Sequence, residues 1–134
     1  MKTKNYTVLV VEDEQLLLDA ITRKLKLNGF SVIPSTTGAN ALKIIDGTQK
    51  LPDAIWLDYY LKDMNGLEFM NNLRKNDKFI HIPTIVVSNS ASDDKVKNML
   101  SLGVKKYYLK AENRLDEIIA YVKEFVKKEG NENI

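Results

Sequence analysis

The chain has no cysteine, no apolar run of membrane-spanning length, no internal repeat and little net charge. Each absence removes a class of protein. Without cysteine there are no disulfides and no thiolate metal sites, which suits a reducing compartment. A transmembrane helix needs about 20 consecutive apolar residues, so membrane insertion is not expected. A formal charge of +2 gives no electrostatic reason to expect direct nucleic-acid binding. The polar start, Met1 to Thr7, leads straight into an apolar run and lacks the pattern of a secretory signal. A cytoplasmic protein is expected.

What is present fits one ordinary globular unit. The 134 residues are 44% hydrophobic and 28% charged, enough for one real core. Residues 1–128 are expected to form the domain and residues 129–134 a polar tail.

Two patterns alternate along the chain. Short apolar runs rich in β-branched and aromatic residues read as buried strands: Val8 to Val11, Ser31 to Ile33, Ala54 to Leu57, Thr84 to Val87 and Tyr107 to Leu109. Between them lie stretches with helical spacing. Their apolar stripes are Leu18, Ile21 and Leu25; Ala41, Ile44 and Ile45; Phe69, Met70 and Leu73; and Val96, Met99 and Leu100. The last stripe runs from Leu115 through Ile118, Ile119, Val122 and Phe125 to Val126. Gly29, Gly47 and Gly103 follow the first, second and fourth helical stretches, where glycine accepts a left-handed conformation. Strict alternation implies right-handed crossovers and a parallel sheet covered on both faces. The expected fold is a doubly wound, five-stranded parallel α/β domain. In such sheets ligands bind beyond the carboxyl ends of the strands, at the topological switch point.

The residues at those ends carry complementary chemistry. Strand one ends in Glu12-Asp13-Glu14, strand three in Asp58, strand four in Ser88-Asn89-Ser90 and strand five in Lys110. Clustered carboxylates repel one another unless a cation joins them, and an oxygen-only ligand set suits Mg²⁺. An Asp carboxylate can act as a nucleophile toward phosphorus, with a lysine and a hydroxyl holding the other phosphoryl oxygens. Taken alone, Asp13 reads as an N-cap for the helix starting near Leu16, and Lys110 as a solvated lysine. His81 precedes a strand in a loop and reads as structural or solvated.

Four segments, in order and correctly spaced, carry a resemblance. They are Val8 to Glu14; Ile55 to Asp58 with Leu61, Met64, Asn65 and Gly66 behind it; Pro83 to Ser88; and Gly103 followed by Tyr107 to Lys110. From about Tyr6 to Val126 the chain resembles the receiver domain of two-component response regulators, of the stand-alone chemotaxis-regulator-like kind with a flavodoxin-like fold. That resemblance implies a phosphorylation-controlled switch rather than an enzyme. It implies that Asp58 accepts the phosphoryl group and that Lys110 and Ser88 bind its oxygens. It implies a Mg²⁺ site built from Asp13, Asp58, the backbone carbonyl of Tyr60 and, through water, Glu12. Ser88 and Tyr107 match the switch positions, and Tyr60 and Ser90 the two side chains that affect the hydrolytic water. The implied partners are a sensor histidine kinase or phosphotransfer protein and an unidentified downstream protein, with the chain a monomer or weak homodimer.

The sequence departs from the family pattern at Lys62 and Ala111, where proline is usual, and at Asn89, where a small residue is usual. Two other classes remain open on the residues alone. A haloacid-dehalogenase-type Mg²⁺ phosphatase would place its nucleophile after strand one in a D-x-D arrangement. A flavodoxin-like cofactor binder would need a phosphate-friendly loop where Glu12-Asp13-Glu14 stands.

Overall fold

The structure, a computed structural model, describes residues 5–132. Five strands alternate with five helices: β1 (Thr7–Val11), α1 (Gln15–Leu27), β2 (Ser31–Ser35), α2 (Gly38–Gly47), β3 (Ala54–Asp58), α3 (Gly66–Leu73), β4 (Thr84–Ser88), α4 (Asp93–Ser101), β5 (Lys106–Leu109) and α5 (Leu115–Glu132). The sheet order is β2-β1-β3-β4-β5 and every pairing is parallel. β3 is therefore central, and its five residues are all buried. A strand covered on both faces reads as a continuous apolar run, which is how Ala54 to Leu57 reads.

The pleat divides the core into two layers, because successive side chains point to opposite faces. Leu9, Val11, Ile55, Leu57 and Val86 pack with Ala41 and Ile45 of α2, Phe69 and Leu73 of α3, and Met99 of α4. Val8, Val10, Trp56, Ile85 and Val87 pack with Leu18, Ile21 and Leu25 of α1 and with Ile118, Ile119 and Val122 of α5. Three helix starts are capped by side-chain oxygens that accept from the third backbone N–H: Thr37 for α2, Asn65 for α3 and Ser92 for α4.

Four local expectations need correction. Gly29 and Gly103 adopt positive φ, +90° and +97°, but Gly47 does not. It is the last residue of α2, and the helix ends because Thr48 is extended. The residue capping α1 is Glu14, not Asp13, and it makes no side-chain cap bond. In α4 the expected stripe of three reduces to Met99; Val96 is half-buried and Leu100 is exposed. Finally, α5 continues past Lys128 to Glu132, where a polar tail was expected. Polarity alone does not end a helix: Lys127, Lys128 and Glu129 are good helix formers and carry it into the weaker Gly130 and Asn131. Residues 133–134 of that tail lie outside the described residues.

Candidate functional site

Because all five strands run the same way, their carboxyl ends share one edge of the sheet. Glu12 and Asp13 follow β1, Asp58 and Ser88 close β3 and β4, and Lys110 follows β5. Register fixes their approach: Val11 pairs with Leu57, Asp58 with Val87, and Ser88 with Leu109. One carboxylate oxygen from each of Glu12, Asp13 and Asp58 lies within 4.8 Å of the other two.

Burial makes this cluster costly. Glu12 is 1% exposed and Asp58 5%. The Lys110 ammonium relieves part of the repulsion. Its Nζ donates to Glu12 Oε1 at 2.9 Å and lies 3.5 Å from Asp58 Oδ2. Glu12 Oε2 also accepts the Glu14 backbone N–H, and Asp58 Oδ1 accepts the Tyr60 N–H at 3.3 Å. Burial first, and then the charge of Glu12, push the Asp58 carboxyl up to about 7, against the opposing pull of Lys110. Burial alone would lower Lys110. The Glu12 hydrogen bond and the charges of Asp58 and Glu12 outweigh it and hold the ammonium above its ordinary value.

The remaining expected residues also reach this edge. Ser88 is fully buried, and its Oγ accepts the Ser90 N–H at 3.4 Å. Tyr107 is half-buried on β5, with its hydroxyl donating to the Ser90 carbonyl at 2.8 Å. Where Ala111 replaces the usual proline, the turn closes on Leu109. The Leu109 carbonyl accepts the N–H groups of Glu112 and Asn113, and Asn113 Oδ1 accepts the Leu109 N–H. Lys62 and Asn89 are exposed. His81 is exposed before β4, at the opposite edge of the sheet from Asp58.

Two features were not read from the sequence. Lys110 sits closer to Glu12 than to Asp58. The Tyr60 hydroxyl, two residues beyond Asp58, is hydrogen-bonded to Lys95 of α4 and to Ser90 Oγ. Nothing in the local pattern around Lys95 marks it, since its partner lies a whole βα unit earlier in the chain.

A doubly wound five-stranded sheet with carboxylates from β1 and β3, a hydroxyl from β4 and a lysine from β5 at one edge defines a receiver-type domain. The chain belongs to the response regulator receiver domain family, whose model matches residues 8–123. It is 35% identical over 125 residues to the transcriptional regulatory protein PrrA of Mycobacterium tuberculosis, covering 92% of this chain and 51% of PrrA. It is 28% identical over 136 residues to the sensor histidine kinase CheAY of Helicobacter pylori, covering 98% of this chain and 17% of CheAY. The chain thus spans about half the length of PrrA and far less of CheAY. Among solved structures, the receiver domain of the Francisella response regulator 1452 is 27% identical with a TM-score of 0.82, covering 92% of this chain and 98% of that one. The signal receiver domain of a LuxO repressor homologue from Vibrio parahaemolyticus is 25% identical with a TM-score of 0.85, covering 97% and 96%. Among the described residues no helix is long and apolar enough to cross a membrane.

Proposed function

We propose that Asp58 accepts a phosphoryl group from a histidine kinase or phosphotransfer protein, that this requires Mg²⁺, and that the modification changes the affinity of the domain for a downstream protein in the cytoplasm. The observation that carries this reading is the convergence of three carboxylate oxygens within 4.8 Å beside one lysine. The oxygen-only donor set fits Mg²⁺, with Asp13, Asp58 and the Tyr60 carbonyl holding the ion and Glu12 close by through water. When bound, the ion neutralises charge on a transferring phosphoryl group.

The chain's own residues supply the rest. An Asp58 carboxylate oxygen attacks phosphorus, the bond from phosphorus to the donor atom breaks, and an aspartyl phosphate remains. The Lys110 ammonium, already 3.5 Å from Asp58 Oδ2, balances the added negative charge. The Ser88 hydroxyl donates to a phosphoryl oxygen. Movement of Ser88 toward that oxygen would alter the Ser88–Ser90 contact, and through the Ser90 carbonyl it would reach the Tyr107 hydroxyl. This links the chemistry to the exposed side of β5. The phosphatase and flavodoxin-like alternatives have no support from the relatives, which are transcriptional regulatory proteins and a sensor histidine kinase.

Incubation with acetyl phosphate and Mg²⁺, followed by intact mass, tests the proposal. The expected result is a gain of one phosphoryl group in the wild type and none in Asp58→Asn. Modification mapped to another residue, or an equal gain in the presence of a chelator, would overturn it.

A further inference from the structure

Tyr60 is 44% exposed, yet the residue is held at both ends, by its backbone and by its phenol. Its backbone N–H donates to Asp58 Oδ1. Its phenol reaches across to the β4–α4 loop, where the hydroxyl accepts from Ser90 Oγ at 3.3 Å and from Lys95 Nζ. The Lys95 ammonium lies 4.5 Å from the centroid of the Tyr60 ring and 4.9 Å from that of Tyr59. Tyr59 is itself fixed, because it is buried against Gly66, where an added Cβ would come within 2.8 Å of its ring. Ser90 is held in turn by Ser88 Oγ and the Tyr107 hydroxyl. The tyrosine therefore spans two loops that leave the sheet beside Asp58 and Ser88. Among the described residues Lys95 is its only charged partner, and it comes from a helix that buries Met99 alone.

We propose that Lys95 is a positioning residue that pins the Tyr60 ring as a strap across the mouth of the Asp58 site, prolonging the life of a phosphoryl group there. The inference rests on the reading of Asp58 as the acceptor. Loss of the group requires a water molecule to attack phosphorus in line with the Asp58 oxygen. A water oxygen–phosphorus bond forms, the Asp58 oxygen–phosphorus bond breaks, inorganic phosphate leaves carrying one of the water's protons while the other passes to solvent, and the carboxylate is restored. An unpinned, half-exposed ring exchanges rotamers and opens that approach. A cation held against two aromatic rings and bonded to one hydroxyl favours a single rotamer.

The test follows decay of the phosphorylated protein by intact mass after the acetyl phosphate is removed, with melting curves to verify that each variant is folded. Lys95→Met keeps the aliphatic stem and removes the charge. It should speed decay by about two- to fivefold, the change in rate expected of a cation–ring contact at an exposed site. Lys95→Arg should restore slow decay. In a Tyr60→Ala background, Lys95→Met should add nothing, because the group it positions is gone. Decay of Lys95→Met at the wild-type rate, or an equal acceleration in the Tyr60→Ala background, overturns the role of Lys95 while leaving Asp58 as acceptor. Absence of any mass gain in the wild type overturns the acceptor reading and this inference together.

Discussion

Asp58 and Glu12 are carboxylates placed where a sheet of this kind can least solvate them, with one ammonium between them. The sign of the consequence for Asp58 follows from linkage. Its folded-state value of about 7 stands above an ordinary 3.8. The folded state then binds the proton more tightly than the unfolded chain, and stability falls as pH rises from about 4 to about 7. In chelator, Asp58→Asn should therefore melt above the wild type at pH 8, and the advantage should shrink toward zero near pH 4. Each tenfold change in proton affinity is worth about 1.4 kcal/mol, so the gain reaches a few kcal/mol. Melting curves across that range check it; an advantage that does not depend on pH would sever the link to Asp58 titration. Asp58, Asp13 and Lys110 were legible in the sequence because each terminates an apolar run whose end is visible. The Lys110–Glu12 pair and the Lys95–Tyr60 contact were not. They depend on side-chain reach between elements far apart in sequence, which no local period encodes.

The elements differ in how firmly they are tied to the sheet. Of the helices with fully described side chains, α4 has one buried residue, while α3 buries four of its eight, Gly66, Phe69, Met70 and Leu73. A helix with so little buried surface has low local stability. That explains why its apolar stripe, read as equal to the others, proved misleading: amphipathic spacing shows which face turns inward but not how deeply it sinks. The loop after β3 is better anchored. The Asp63 carboxylate accepts the Gly38 and Ala39 N–H groups at 3.0 and 2.9 Å, joining this loop to the start of α2. Burial works to raise Asp63, but these backbone bonds prevail and hold it below its ordinary value. The stabilisation is therefore present at neutral pH and is lost as pH falls through the depressed value. Asp63→Ala should cost about 1 kcal/mol at pH 7, the scale of a lost helix cap, and the difference should fade toward pH 3. Urea unfolding at the two pH values measures it, and an equal cost at both would contradict the role of the carboxylate.

At the scale of the molecule, the alternation of strand and helix was enough to read the sheet, its parallel sense and its two covered faces. The strand order, β2-β1-β3-β4-β5, was not legible, because alternation alone is compatible with more than one doubly wound order; the Asp58 edge lies where such folds bind ligands. Helix ends were less legible, as Gly47 and α5 show, because a terminus is decided by a few dihedral angles rather than by a pattern. The cost of the acidic edge bears on the stability of the whole domain. A divalent ion that binds the folded state alone raises stability by about 2.7 kcal/mol at a hundred times its Kd. The melting temperature should rise as Mg²⁺ is added, and Asp13→Ala should remove most of that rise. An unchanged response in that variant would count against Asp13 as a ligand.

Trp56 is the sole tryptophan of the chain. It lies on the central strand two residues before Asp58, 1% exposed, and two residues of strand span only about 7 Å. The domain thus carries an intrinsic optical probe one pleat away from the group whose charge is at issue. Indole emission responds to nearby electric fields, so occupancy of the acidic edge should be visible without a label. A Mg²⁺ titration followed by emission at fixed protein concentration should give a saturable change in the wild type and a much weaker one in Asp13→Ala. Emission unaffected by saturating Mg²⁺ would mean that the field at the indole is insulated from the carboxylates.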